Sequence, residues 1–104
     1  MIYYNVTTKL DRDIEVEWIN WMKKVHIPEI LNTKKFLEVK LLKLILDDPK
    51  TPSTYAAQYC SSSKFLLNNH LKNYASVLRI KTIEKFGERA LSFRTKLELI
   101  SEHR

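Results

Sequence analysis

The sequence predicts an α+β protein in which two helices cover one face of a four-stranded antiparallel sheet. Three observations lead to this fold class. Several segments alternate apolar and polar residues with the period of a strand, and two longer segments space their apolar residues as a helix does. These segments follow one another as strand, helix, strand, strand, helix, strand. The length of 104 residues suits one domain spanning residues 1–104.

The first strand and the first helix lie in the N-terminal third of the chain. The strand is predicted over residues 2–10, where the side chains alternate strictly. Asp11 or Asp13 can cap the helix that follows. The apolar stripe of this helix is predicted to consist of Ile14, Trp18, Trp21, Met22 and Val25. Pro28 disfavours helical backbone at Ile27, so the helix is expected to end there and a second, short helix to begin at Pro28.

The second and third strands form the middle of the chain. The second is predicted from Phe36 to Leu46, but its alternation slips between Leu41 and Leu42. Either a β-bulge lies at that point or both faces of this half-strand are buried. Residues 47–53 form a turn-rich connection of hairpin length. The third strand is predicted over residues 54–60, and its apolar face consists of Tyr55, Ala57 and Tyr59.

The second helix and the last strand complete the pattern. Residues 61–63 are three serines that can cap a helix running to Phe86, with a bend near Ser76. Gly87, the only glycine, is placed to end that helix. The apolar face of the helix is predicted to contain Leu67, Leu71, Tyr74 and Leu78. The last strand is predicted over residues 91–99, and the whole order is that of the ferredoxin-like βαββαβ arrangement.

The sheet face without helices raises the question of a partner. On that face the first and last strands are expected to present mostly polar residues, namely Tyr3, Asn5, Thr7 and Lys9 together with Ser92, Arg94, Lys96 and Glu98. The second strand, however, is expected to have leucines on both of its faces. An apolar patch there would need a cover, so a homodimer is predicted.

Composition excludes several classes of function. The net charge is +6, but the basic residues are spread along the chain, so a nucleic acid is not expected as a partner and a weak polyanion binder is only an alternative. One cysteine, Cys60, leaves no internal disulfide and no zinc-site spacing. A single glycine excludes a glycine-rich phosphate loop. Neither a signal peptide nor a membrane span is predicted, so a cytoplasmic location is expected. No metal or other cofactor is predicted.

Four residues are candidates to face a ligand: His26, Asn5, Trp21 and His70. His26 can cap the C-terminal end of the first helix, or it can serve in a pocket as a general base or ligand. Trp21 fits core packing with Trp18, and ligand stacking is the alternative. His70 lies on the flank of the second helix and has the same two interpretations as His26. None of the four completes a known catalytic motif.

Several motifs together resemble one uncharacterised bacterial family. They are the opening MIYYNVT, the signature W-x-x-W-M-x-x-x-H-I-P from Trp18 to Pro28, and the E-x-F-G step ending at Gly87. The chain resembles domain of unknown function 4286 over nearly its whole length, except that a glycine is expected just before Phe36 where Lys34 and Lys35 stand. The family implies no activity.

The architecture is also similar to the dimeric α+β barrel superfamily, which includes monooxygenases, haem-degrading enzymes and isomerases. Haem-degrading members pair an Asn on the first strand with a Trp and a His on the second helix. Asn5 and His70 could match, but the second helix has no tryptophan. The leading hypothesis is therefore a small non-catalytic module that binds a ligand or a protein and forms a homodimer. A cofactor-free monooxygenase or isomerase is the alternative, and whether the protein is an enzyme stays open.

Overall fold

The computed structural model describes residues 1–45, 48 and 50–104. Four strands form one sheet in the order β2-β3-β1-β4, and each neighbouring pair is antiparallel. The strands are β1 (Ile2–Leu10), β2 (Glu38–Lys43), β3 (Ser53–Ser61) and β4 (Ala90–Glu98). One helical region joins β1 to β2 and another joins β3 to β4, so the predicted ferredoxin-like βαββαβ fold is confirmed.

Each helical region consists of several segments. The first contains a 3-10 turn (Arg12–Ile14), α1 (Glu15–Trp21), a π turn (Met22–His26) and α2 (Ile27–Leu31). The second contains α3 (Lys64–Asn73), α4 (Ala75–Phe86) and a 3-10 turn (Gly87–Arg89). Among the described residues, no helix is long and apolar enough to cross a membrane.

The first helical region does not break at Ile27, and that prediction is wrong. Ile27 keeps helical backbone angles, φ −63° and ψ −47°, and its N–H donates to the carbonyl of Met22, five residues earlier. Pro28 has no N–H, and its ring would press on the carbonyl of Lys24 in a regular α-helix. The wider π turn separates these groups, so the backbone passes Pro28 without a break.

The π turn also decides which side chains of this region are buried. In a regular α-helix, four residues rotate by about 40° more than a full turn. Side chains spaced by four therefore move progressively off one face of the helix. The extra residue in the π turn cancels part of that drift. The buried side chains are therefore spaced by four, namely Ile14, Trp18, Met22, His26 and Ile30. Val25, predicted in the apolar stripe, is 47% exposed, so this prediction is wrong.

The second helical region follows the prediction except at Tyr74, which was predicted on the apolar face but is 38% exposed. The hydroxyl of Ser63 accepts a hydrogen bond from the Leu66 N–H at 3.2 Å and caps α3. The bend expected near Ser76 lies two residues earlier, at Tyr74, where φ is −125°. Gly87 ends α4 with a φ of +58°, which glycine adopts without strain.

The turn after α2 contains the one positive φ of a residue other than glycine in the described ranges. Lys34 has a φ of +65°. Its N–H donates to the carbonyl of Leu31 at 3.1 Å, and the Thr33 hydroxyl donates to the carbonyl of Ile30 at 2.7 Å. The glycine that the family resemblance leads one to expect near this position would relieve the left-handed backbone.

The central hairpin differs from the sequence prediction in β2 but not in β3. Strand β2 is shorter than predicted, and it pairs with β3 in continuous register, so there is no bulge between Leu41 and Leu42. Leu42 and Leu44 are exposed, so the second face is not buried either. Leu46, the predicted end of this strand, lies outside the described residues, as does part of the 47–53 connection. The predicted apolar face of β3 is confirmed, because Tyr55, Ala57 and Tyr59 are buried.

Strand β4 presents the opposite face from the one predicted. Arg94 pairs with Val6 and Ser92 pairs with Thr8, which places both on the helix side of the sheet. The prediction that the polar set Ser92, Arg94, Lys96 and Glu98 lies on the open face is therefore wrong. That face instead carries Leu91, Phe93 and Leu97, of which Phe93 is 63% exposed. Residues Tyr3, Asn5, Thr7 and Lys9 of β1 do lie on the open face, as predicted.

Candidate functional site

A cavity lies between the sheet and both helical regions. It has an empty volume of about 570 Å³, part of it open to solvent. Water-sized molecules can occupy about 50 Å³ of it, which is room for a few waters, so a larger ligand would extend into the open part of the cavity. Its floor is formed by sheet residues that include Tyr4, Val6, Thr8, Ala57, Tyr59, Ser92 and Arg94. Its walls are formed by helical residues that include Trp18, Met22, His26, Ile30, His70, Leu78, Arg79 and Thr82.

His26 reaches the cavity from the π turn. Its side chain is nine-tenths buried, and its Nδ1 has no hydrogen-bond partner in the described part of the chain. Burial lowers the pKa of His26 from 6.5 to about 4, because the charged imidazole would lose its water. The carboxylate of Glu29 opposes this shift, whereas the positive charge of Arg94 adds to it. The imidazole is therefore neutral at pH 7.

The helix-end role predicted for His26 is wrong. The helical backbone continues through Ile27 to Leu31, so His26 does not face the last carbonyls of a helix. The residue instead lies on the buried side of the region, in line with Met22 and Ile30. The pocket position, which was the alternative interpretation, is where the structure places it.

His70 reaches the same cavity from α3. Its side chain is 3% exposed, and the edge of its ring meets Phe36 with a centroid distance of 4.8 Å. Its Nδ1 also has no hydrogen-bond partner among the described residues, and burial lowers its pKa. The cavity thus contains two neutral imidazoles, and each can donate one hydrogen bond and accept another.

The floor of the cavity adds hydroxyl groups and a positive charge. The hydroxyls of Thr8 and Ser92 are hydrogen-bonded to each other at 2.7 Å. Arg94 is half-buried, and no aspartate or glutamate is among the residues that line the cavity. The neutral imidazoles and hydroxyls stand next to apolar walls, so the arrangement can bind a small polar organic molecule and orient it.

The four residues singled out from the sequence do not form one site. His26 and His70 share the cavity. Trp21 lies behind His26, where the rings stack with centroids 4.5 Å apart, and it meets the edge of Phe86 at 5.3 Å. Asn5 lies on the open face of the sheet, where its Nδ2 donates to the Thr7 hydroxyl at 3.1 Å. Asn5 therefore cannot act together with the two histidines within one chain.

Sequence reasoning missed the polar floor of the cavity. The sequence predicts Ser92 and Arg94 on the open face, and Thr8 is not among the candidate site residues. The spacing of four from Ile14 to Ile30 is a signal that would have identified His26 as a buried residue. No such signal exists for Arg94, because its side of the sheet follows only from the pairing of β4 with β1.

The cavity has no set of metal ligands. Within the part of the chain that the structure describes, no group of three histidine, cysteine or acidic side chains could hold a metal ion. Cys60 is buried, and it lies on the opposite face from the cavity, paired with Tyr3.

Two solved structures have a similar fold. One is a dimeric ferredoxin-like protein from an uncultured marine organism, with a TM-score of 0.71, 10% identity, and coverage of 98% of this chain and 97% of that one. The other is described as a "putative antibiotic biosynthesis monooxygenase" from Deinococcus radiodurans. It has a TM-score of 0.61 and 11% identity, and the match covers 100% of this chain and 97% of that one. At these identities the likeness establishes the fold alone.

No curated protein matches the chain. A family model does match, over residues 1–100, and it is described as Domain of unknown function (DUF4286). The motif from Trp18 to Pro28, which carried the resemblance, lies inside the matched range. The chain belongs to this DUF4286 family.

Proposed function

We propose that the protein is a homodimeric module that binds a small organic molecule in the cavity between its sheet and its helices. One observation carries the proposal: two buried imidazoles line a single cavity, and the Nδ1 of each has no partner among the described residues. A buried polar atom without a hydrogen bond costs about 1–3 kcal/mol. We expect a bound molecule with polar groups to come within hydrogen-bond distance of these imidazoles and so to reduce this cost.

The open face of the sheet supports the homodimer. Leu42, Leu91, Phe93 and Leu97 expose apolar surface there, on side chains that no helix covers. Large apolar side chains exposed on one sheet face favour a protein partner. A second copy of the chain is the occupant we propose, because the solved structure with a TM-score of 0.71 is described as dimeric. The cavity lies on the other face, so dimerisation leaves it accessible.

Binding fits the cavity better than catalysis by a general base. The second solved structure is named as a monooxygenase, which makes an oxygenase of the same fold the competing function. A general base works best when its pKa is near the operating pH. The pKa of His26 is about 4, so its imidazole is a weak base at pH 7. No carboxylate among the lining residues supplies a second proton acceptor.

The proposal is tested with a fragment library of neutral, cationic and anionic single-ring compounds, by following the imidazole resonances of His26 and His70 in NMR spectra. Binding in the cavity is expected to shift both resonances in a saturable way. Thr82→Trp fills the cavity from α4 and should abolish the shifts. Ser76→Trp, exposed on the same helix, is the matched control and should keep them.

Two outcomes contradict the proposal. One is a library in which no compound shifts either histidine of the wild-type protein. The other is a folded Thr82→Trp variant that binds the same compounds as tightly as the wild type.

A further inference from the structure

We infer that the cavity selects a small organic monoanion, a carboxylate with an apolar ring or chain, and that Arg94 holds the carboxylate. This inference rests on the proposed function and specifies its ligand class. Three features of the lining support it: its charge, the position of its hydroxyls and its apolar walls.

The charge of the lining is positive. Arg79 and Arg94 both line the cavity, and no acidic residue does. Neither guanidinium forms an ion pair or a hydrogen bond with the described residues, although the nearby Lys81 is paired with Glu29. A half-buried guanidinium without a counterion favours a carboxylate, because its planar N–H groups match the two carboxylate oxygens.

The hydroxyls add donors beside Arg94. Ser92 is two residues away on the same face of β4, and Thr8 is its cross-strand neighbour on β1. Their hydroxyl oxygens are 2.7 Å apart, so one O–H donates to the other. The accepting hydroxyl still has its own O–H, which is free to donate to a carboxylate oxygen. Guanidinium and hydroxyl donors therefore come from neighbouring positions on the cavity floor.

The remaining walls determine the rest of the ligand. Trp18, Met22 and Leu78 are buried side chains on the helical side of the cavity. They favour an apolar ring or short chain. A multiply charged ion such as phosphate would leave much of its charge without partners against these walls, which is costly. The combination therefore selects one negative charge on an apolar body.

The test compares acids with their amides, which have nearly the same shape and no charge. Benzoate, phenylacetate, hexanoate and the corresponding amides are each titrated into the protein. Binding is again followed by the NMR resonances of His26 and His70. The acids are expected to bind at least about tenfold more tightly, which is about 1.4 kcal/mol. Arg94→Met should reduce each acid to the affinity of its amide. Arg89→Met changes an exposed arginine outside the cavity and should leave the preference unchanged.

The outcomes separate this inference from the proposed function. Equal binding of acids and amides to the wild-type protein overturns the inference and leaves the proposed function standing. The same holds if only neutral fragments bind, if inorganic phosphate binds more tightly than the acids, or if folded Arg94→Met keeps the preference. If no compound of any charge binds, both are wrong.

Discussion

The imidazole of His26 stacks on the indole of Trp21, with ring centroids 4.5 Å apart and an interplanar angle of 20°. An indole face attracts a cation and by itself would favour the protonated imidazole. Burial acts in the opposite direction and is the larger effect, since the pKa of His26 falls to about 4. The pair is therefore a neutral stack, in which Trp21 fixes the plane of the ring that lines the cavity.

The stability of the protein is expected to depend on pH through His26. Its pKa is 6.5 when unfolded and about 4 when folded, so its contribution is fully present above pH 6.5 and is lost as the pH falls towards 4. The unfolded chain then binds a proton that the folded chain excludes. The loss amounts to roughly 3 kcal/mol for His26, and His70 acts in the same direction.

Urea unfolding of wild type and His26→Phe at pH 7 and pH 4 checks this. Phenylalanine keeps the stack on Trp21 but does not titrate, so the variant should lose about 3 kcal/mol less than the wild type on acidification. His103→Phe, in the exposed C-terminal tail, is the control and should behave as the wild type does. An identical pH dependence in wild type and His26→Phe would show that His26 is not the responsible group.

The turn after α2 offers a stabilising substitution. Lys34 holds a φ of +65°, where a side chain with a Cβ is strained and glycine is not. Lys34→Gly is expected to raise the free energy of unfolding by about 0.5–1 kcal/mol, even though glycine makes the unfolded chain more flexible. The measurement is urea unfolding at pH 7.

The neighbouring lysine supplies a matched control. Lys35 has a negative φ, so Lys35→Gly relieves no strain and should lower the free energy of unfolding. Its carbonyl, which accepts a hydrogen bond from the Ser61 hydroxyl at 3.0 Å, is kept in both variants. A loss of stability in Lys34→Gly equal to that in Lys35→Gly would refute the account of the turn.

The proposed homodimer predicts a strong effect of charge on the open face. The wild-type protein is expected to be a dimer at micromolar concentration in light-scattering measurements. Phe93→Lys places a cation among the exposed apolar side chains of the open face and should give a monomer, because burying an unpaired charge is costly. Phe65→Lys changes an exposed phenylalanine of α3, on the other face, and should remain dimeric.

The dimer is rejected if the wild-type protein is a monomer at that concentration. Dissociation of both lysine variants would also count against it, since the open face would then not be the specific site of association.

The parts of the fold that the sequence predicts are those set by local chemistry. Strand β1 alternates, Ser63 caps α3, and Gly87 ends α4, each through contacts within a few residues. The alternation in β4 correctly indicates that Leu91 and Phe93 share a face. It does not indicate which face meets the helices, because that depends on register with β1. For this reason the sequence does not predict that Ser92 and Arg94 belong to the site.

His26 was misplaced for a different reason. Helical geometry of about 100° per residue places Val25 on the apolar stripe and His26 at its edge. The π turn changes the rotation between Met22 and His26, and Pro28 provides the local cause. A proline that appears to end a helix can instead be passed by a wider turn, and here the helical backbone that continues beyond Pro28 buries Ile30.

The π turn makes the chemistry of the cavity wall depend on the length of the helical region as well as on its residues. In a relative that lacks one residue between Met22 and His26, regular α-helix would replace the π turn. Its regular helix would bring a different side chain to the position of the imidazole, without any amino-acid replacement at His26 itself. A single-codon deletion or insertion can therefore exchange a polar wall for an apolar one and so alter what such a pocket accepts.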